Sequence, residues 1–182
     1  LNKEVLETNS IGKLCNILEN FEGPTICALN GGVYGGAVEI ALSCDFRIAH
    51  QTLSLLVPAS SLGIHYEPSG LRRSLNILGP SITRRLFLLG DLIKLEDIKK
   101  TQFIDFWVEK DETVIAKAKK LVLALRNNSP LAVGGMKRTI KELLDNTLSN
   151  DFTNIWLDLR ILLFSKYLHE YNIINENKEI II

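Results

Sequence analysis

A glycine-rich turn followed by a single carboxylate is the first feature of this sequence that could do chemistry. The stretch NGGVYGGAVEIALSCD, residues 30–45, has glycine at four of the six positions 31–36 and then an apolar run interrupted by Glu39. Because glycine is entropically costly, such a cluster indicates a backbone conformation or a close approach that side chains would forbid. The preceding run GPTICALN, residues 23–30, is largely apolar and predicts a buried strand.

A strand, a glycine turn and a helix in this order direct free backbone N–H groups at whatever lies above the turn. Two such groups in a water-poor pocket form an oxyanion hole, which stabilises negative charge on a carbonyl oxygen. The turn has neither the GxGxxG spacing of a dinucleotide site nor the GK[ST] ending of a P-loop. We therefore expect the turn to bind a carbonyl oxygen and not a phosphate.

Composition and charge exclude several other classes of function. The chain has 182 residues and is 46% hydrophobic, which is enough for the core of one domain. Its 21 basic and 21 acidic residues cancel, so nothing favours nucleic acid or a membrane surface as a partner. The cysteines (Cys15, Cys27 and Cys44) are predicted to be free thiols of a reducing compartment, and no Cys/His cluster has metal-ligand spacing. With no membrane-spanning run and no basic-then-apolar leader, we expect a cytoplasmic protein without a metal.

The hydrophobic pattern predicts an α/β first half and a helical second half. Helices are predicted over 4–20, 36–43, 71–78, 81–90, 111–128 with Asp111 as N-cap, 129–149 and 150–170, and strands over 24–29, 45–50, 54–58 and 104–110. We accordingly divide the chain into an α/β core, residues 1–110, and a helical C-terminal region, residues 111–182. Since the chain starts at Leu1 without Met, we expect it to be part of a longer protein.

The run PTICALNGGVYGGAVEIALSCDFRIA, residues 24–49, resembles the signature of the crotonase, or enoyl-CoA hydratase/isomerase, superfamily. The resemblance continues through Leu62-Gly63, the run GLRRSLNILGPSITRRLFLLGDLIKLEDI (70–98) and the helix containing MKRTI (136–140). It implies an α/β crotonase-like fold, a ββα spiral core with a helical C-terminal region for trimerisation, whose N-terminal part is missing from this chain. Family members form homotrimers or dimers of trimers.

The resemblance also implies an acyl-CoA thioester as substrate, whose enolate is stabilised by two backbone N–H groups. By position, Gly36 would supply one of them, and the second belongs to a loop upstream of this chain. Gly35, Gly32 and His65 would contact the substrate. Coenzyme A enters only as part of the thioester, so no separate cofactor is expected. Of the two glutamates that the family's hydratases use, the first falls on Glu39.

The position of the second glutamate is Ala59, directly after Pro58. Hydration needs one group to deprotonate water and another to deliver a proton, and alanine can do neither. Leu62-Gly63, followed after two residues by Tyr66, resembles the methylmalonyl-CoA decarboxylase branch, which also lacks the second glutamate. This resemblance implies a decarboxylase-like lyase in which Tyr66 orients the substrate carboxylate, Gly36 stabilises the enolate and Glu39 is a candidate proton source.

Two alternatives to decarboxylation stay open. One is an enoyl-CoA hydratase or isomerase that uses Glu39 with a rearranged second group, His65 or Glu67. The other is a catalytically degenerate family member that acts as a binding or assembly subunit, as Ala59 and the sparsely basic tail NENKEIII would allow.

Two further sets of charged residues are expected to be structural. Asp45, at the end of the signature, is expected to hydrogen-bond the turn into the following strand. Four arginines on adjacent helices are expected on a solvated helix face or in a subunit contact: Arg72, Arg73, Arg84 and Arg85.

Overall fold

The computed structural model of the protein describes residues 10–145, which belong to two compact units divided between Leu125 and Arg126. The helices are α1 (Ser10–Asn20), α2 (Gly36–Leu42), α3 (Pro68–Arg84), α4 (Leu95–Ile98), α5 (Val114–Leu125) and α6 (Pro130–Leu144). The strands are β1 (Ile26–Leu29), β2 (Val33–Tyr34), β3 (Phe46–Ala49), β4 (Leu55–Leu56) and β5 (Phe106–Trp107). The alternation of strands and helices confirms the α/β class.

Two small parallel sheets organise the first unit. One has the strand order β1-β3-β5, with Ile26 opposite Phe46 and Ala49 opposite Trp107. The other pairs β2 with β4 and sets Tyr34 opposite Leu56. Because parallel strands need a crossover connection, the chain from β1 to β3 passes through β2 and α2. This connection brings the glycine turn close to the segment that follows β4.

The hydrophobic core explains why these short elements are held firmly. Fully buried side chains from β4, α2 and the connections around α4 pack in one cluster, which includes Val38, Leu55, Ile93 and Phe103. A second cluster, Ile48, Val108 and Val114, packs α5 against the first sheet. Burying a side chain of this size stabilises the fold by roughly 1.5–3 kcal/mol.

The predicted stop at Gly79 between the helices 71–78 and 81–90 is confirmed, and the two helical segments belong to one kinked element, α3. It begins at Pro68, since proline suits the first turn of a helix, and it is broken locally at Gly79 (φ 75°, ψ 167°). A π-helical turn, Arg85–Leu89, follows α3. The helical segment ends at Gly90, whose φ is 62°, and this confirms the predicted glycine stop.

The N-terminus of α5 corrects another prediction. The helix begins at Val114, and the Thr113 hydroxyl accepts a hydrogen bond from the Ala116 N–H at 3.1 Å. Asp111 was therefore the wrong cap, because Thr113 lies closer to the first free N–H groups. Residues 4–9 and 146–149 of the predicted helices, and the whole predicted helix 150–170, lie outside the described residues.

Asp45 has the structural role expected of it. Its Oδ2 accepts hydrogen bonds from the Thr25 N–H at 2.7 Å and from the Thr25 hydroxyl at 2.8 Å. These bonds tie the chain before β3 to the start of β1. Among residues 10–145, no helix is both long and apolar enough to span a membrane.

Candidate active site

The glycine turn places the backbone N–H groups of Gly35 and Gly36 at the start of α2. Gly35 has φ 58° and ψ −132°, which a residue with a side chain rarely adopts, and its N–H donates to the Leu56 carbonyl at 2.8 Å. The next N–H, that of Gly36, has no hydrogen-bond partner within the described residues. A Cβ on Gly36 would collide with the Ile11 side chain of α1, so a larger residue would not fit there without displacing Ile11.

Glu39 lies one helical turn after Gly36, on the same face of α2. Its side chain is 3% exposed, and its Oε1 lies 3.0 Å from Nη1 of Arg73, which is 2% exposed. Burying a carboxylate without a partner is strongly unfavourable. Arg73 therefore supplies the partner that allows the Glu39 carboxyl group to occupy this buried position.

Arg73 is the functional candidate that the sequence analysis missed, since it was expected on a solvated face or in a subunit contact. Its Nη2 lies 2.9 Å from Oε2 of Glu19 on α1, its Nε donates to the same oxygen at 3.2 Å, and Nη2 also donates to Asn16 Oδ1. The expectation was wrong for Arg73 because α1 and α2 cover this face of α3. The signal in the sequence was the pair Asn16 and Glu19, which lie three residues apart on one face of α1 and could bind a buried arginine.

The neighbouring arginines differ from Arg73 in exposure. Arg72 is 32% exposed, and its Nη2 donates to both carboxylate oxygens of Glu19, at 2.9 and 3.0 Å. Arg85 is 36% exposed and forms ion pairs with Asp91 and Asp97. Neither of these arginines forms an ion pair with Glu39 in the part of the chain that the structure describes.

Tyr66 lies in the loop before α3, and its side chain is close to Glu39. Its ring packs edge-on against Phe87, with ring centroids 4.7 Å apart. Burial raises the pKa of Tyr66 well above its usual value, and the negative charge of Glu39 and hydrogen bonding to Glu39 raise it further. The phenol is therefore neutral near pH 7 and can donate a hydrogen bond to a carboxylate.

Gly70, in the first turn of α3, allows Tyr66 and Glu39 to approach each other. A Cβ at this position would lie 2.7 Å from Cε1 of Tyr66 and 3.1 Å from the carboxyl carbon of Glu39. Gly70 was not among the site residues predicted from the sequence. A glycine just inside a helix N-terminus, where other residues are more stable, was the signal that could have indicated it.

The remaining candidates lie apart from this group. His65 is exposed and forms no hydrogen bond or ion pair with another described residue. Gly32 is exposed, and a Cβ there would collide with the Tyr34 hydroxyl. Ala59 is 7% exposed, and Glu67 is half-buried with its Oε2 3.5 Å from the Ser69 hydroxyl. The structure thus places Tyr66 near Glu39, which lies three residues after Gly36 on α2. His65, Gly32 and Glu67 form no hydrogen bond or ion pair with these residues in the part of the chain that the structure describes.

The cysteines are free thiols, as expected. Cys15 is buried, and burial raises the pKa of its thiol, with the charge of Glu39 adding to the effect. Within residues 10–145, no group of three or more His, Cys, Asp or Glu side chains could hold a metal ion.

Comparisons with known proteins agree on one family. The family model described as Enoyl-CoA hydratase/isomerase matches residues 2–174. Carnitinyl-CoA dehydratase of Escherichia coli K12 is 31% identical over 127 residues, which are 68% of this chain and 48% of that protein. Crotonyl-CoA hydratase of Syntrophomonas wolfei is 29% identical over 140 residues, 76% of this chain and 54% of that protein. The chain thus spans about half the length of the curated relatives it matches.

The structure also resembles solved structures of this family. A structure of methylmalonyl-CoA decarboxylase in complex with 2-nitronate-propionyl-CoA superposes with a TM-score of 0.71 and 21% identity, covering 96% of this chain and 68% of that one. At this identity the likeness supports the fold alone. Together with the match of the family model to most of the chain, it shows that the chain belongs to the enoyl-CoA hydratase/isomerase family and has the crotonase fold.

Proposed function

We propose that the protein binds an acyl-CoA thioester, stabilises its enolate and decarboxylates a malonyl-type substrate. The observation that carries this proposal is the buried Glu39 with Tyr66 close to it, one helical turn after the Gly36 N–H, together with alanine at position 59. The family membership supports the acyl-CoA part. The choice of decarboxylation as the reaction rests on the side chains of Glu39, Tyr66 and Ala59.

The N–H of Gly36 is suited to stabilise an enolate oxygen. It lies at a helix N-terminus, where the backbone carries partial positive charge, and has no partner within residues 10–145. The positive φ of Gly35 fixes its direction. In a pocket shielded from water, such a donor strengthens as charge develops on the thioester oxygen.

The side chains near Glu39 favour decarboxylation over hydration. Hydration requires a second acid–base group, and position 59 has only a methyl side chain. His65 is exposed and Glu67 contacts Ser69, whereas Tyr66, whose raised pKa keeps it neutral, lies against Glu39. A neutral phenol is a hydrogen-bond donor and a poor base, which suits the orientation of a substrate carboxylate.

Decarboxylation on this site proceeds without a strong base. The bond between the α-carbon and the carboxylate breaks, its electron pair forms the enolate, and CO2 leaves while Gly36 donates to the enolate oxygen. Because Oε1 of Glu39 is engaged by Arg73, we propose water as the proton source for the α-carbon in place of Glu39.

The test is a comparison of two substrates, methylmalonyl-CoA and crotonyl-CoA, given separately to the protein. We expect CO2 release from the first and no loss of enoyl absorbance with the second. Tyr66→Phe should lower the rate of CO2 release by about 100-fold, the cost expected when a group that orients the substrate is lost. Tyr34→Phe is the matched control, since Tyr34 is an exposed tyrosine that hydrogen-bonds Ser54.

Two other outcomes would contradict the proposed reaction. Hydration of crotonyl-CoA without CO2 release would indicate a hydratase with its second acid in the loop 65–67. Binding of acyl-CoA without turnover of either substrate would indicate a binding or assembly subunit.

We also propose the family's assembly and a cytoplasmic location for this protein. A homotrimer, or a dimer of trimers, follows from the family resemblance. Sedimentation of the protein measures its mass directly, and a monomer would contradict this part of the proposal.

A further inference from the structure

We infer that Arg73 is a positioning residue for Glu39 and that Glu19 of α1 belongs to the same functional unit. The catalytic consequence rests on the proposed function. The positioning itself rests only on the contacts of the described residues.

The guanidinium of Arg73 joins two carboxylates through different atoms. Its Nη1 meets Glu39 at 3.0 Å, while Nη2 and Nε meet Glu19 at 2.9 and 3.2 Å. Because the guanidinium is planar and its N–H directions are fixed, anchoring one edge on Glu19 determines where Nη1 points. Asn16 accepts a further hydrogen bond from Nη2. Helix α1 thus sets the orientation of the carboxylate on α2 through Arg73.

The burial of the pair makes this orientation rigid. The Arg73 and Glu39 side chains are 2% and 3% exposed, so water cannot readily replace either partner. Among residues 10–145, Arg73 is the only cation that forms an ion pair with Glu39. Arg72 also forms an ion pair with Glu19, but it is 32% exposed and forms no ion pair with Glu39 among residues 10–145.

Removal of Arg73 has a specific consequence for the site. Without its partner, the Glu39 carboxylate would turn toward other donors or take up a proton. Tyr66 would then face a carboxyl group with a different direction or charge. Since Tyr66 and Glu39 lie close together beside Gly70, the substrate carboxylate would lose the hydrogen-bond donor that orients it.

The kinetic test compares Arg73→Met, Arg73→Lys and Arg72→Met for CO2 release from methylmalonyl-CoA. We expect Arg73→Met to lower kcat by about 10–100-fold with little change in KM, because misplacement of a site group acts on the reaction step. Arg73→Lys, which keeps the charge, should recover part of the loss. Arg72→Met should stay within about twofold, as surface substitutions usually do.

A double variant shows whether Arg73 acts through Glu39. If it does, Glu39→Gln with Arg73→Met should be no slower than Glu39→Gln alone, because effects on one unit are not additive. A merely structural role would instead add its loss to that of Glu39→Gln. Fully additive losses, or equal losses for Arg72→Met and Arg73→Met, would overturn the inference.

A measurement independent of turnover separates this inference from the proposed function. The protein is labelled with ¹³C in its four tyrosines, and the Tyr66 signal is assigned from its disappearance in Tyr66→Phe. Arg73→Met should shift this signal in the same direction as Glu39→Gln, and Arg72→Met should leave it in place. An unmoved Tyr66 signal in Arg73→Met would contradict positioning even in an active enzyme. A shift in a protein that turns over neither substrate would sink the proposed reaction alone.

Discussion

Nη1 of Arg73 lies 3.0 Å from Oε1 of Glu39, although the two residues are 34 positions apart and belong to different helices. Both side chains are almost completely shielded from solvent. The pair connects α3 to α2 at the residue that the family resemblance identifies as catalytic. The same ion pair therefore contributes to the stability of the fold and to the position of the candidate catalytic carboxyl group.

Loss of Arg73 should strongly destabilise the fold. Arg73→Met leaves Glu39 buried without a cation, and we expect the free energy of unfolding to fall by roughly 3–5 kcal/mol. Urea unfolding measures this change. Arg72→Met, at a partly exposed pair, should cost no more than about 1 kcal/mol. Equal losses for the two variants would show that burial does not decide the strength of the Arg73 pair.

Gly70→Ala, a substitution in α3, should lower the activity of the site. The added methyl group would lie 2.7 Å from the Tyr66 ring and 3.1 Å from the Glu39 carboxyl carbon, so one of them must move. We expect CO2 release to fall by about tenfold or more, although alanine is intrinsically the better helix residue by about 1 kcal/mol. Gly31→Ala is the matched control, since nothing lies within 4 Å of a Cβ there. Full activity in Gly70→Ala would show that this close approach has no role.

Tyr66 should make the protein lose stability at alkaline pH. Burial and Glu39 raise the pKa of Tyr66 in the folded state above the value of about 10 expected in the unfolded chain. The folded state then holds the proton more tightly, so this contribution is complete below about pH 10 and decreases as the pH rises further. Urea midpoints on either side of that pH should fall more steeply for the wild type than for Tyr66→Phe. Parallel curves would argue against a raised pKa.

Cys44 should be the most reactive thiol of the described residues. A hydrogen bond with Cys27 lowers the pKa of Cys44 to about 7, with further help from Thr25 and Arg47 against the effect of burial. The same hydrogen bond raises the pKa of Cys27, and burial raises that of Cys15. Limited treatment with iodoacetamide near neutral pH should therefore label Cys44 first, as read by peptide mass spectrometry. Cys27→Ala should slow that labelling, and preferential labelling of Cys15 would contradict the assignment.

The local parts of the site could be predicted from sequence. The glycine turn and the helix bearing Glu39 follow from composition and periodicity over a few residues, and the structure has both at the expected positions. Arg73 could not be recognised in this way. Whether a helical arginine is solvated or buried depends on the helix that packs over it, and here Glu19 and Asn16 are 54 and 57 residues distant in sequence. Gly70 was missed for the same reason, since its neighbours Tyr66 and Glu39 meet only in the folded chain.

The most direct test of enolate stabilisation is the deuterium content of the product formed from methylmalonyl-CoA in D2O. If an enolate forms and water protonates it, the propionyl-CoA produced should have a single deuterium at the α-carbon, and Tyr66→Phe should lower its rate of formation. Unlabelled propionyl-CoA, or no CO2 release from a protein that binds the thioester, would contradict an enolate mechanism at Gly36, Glu39 and Tyr66.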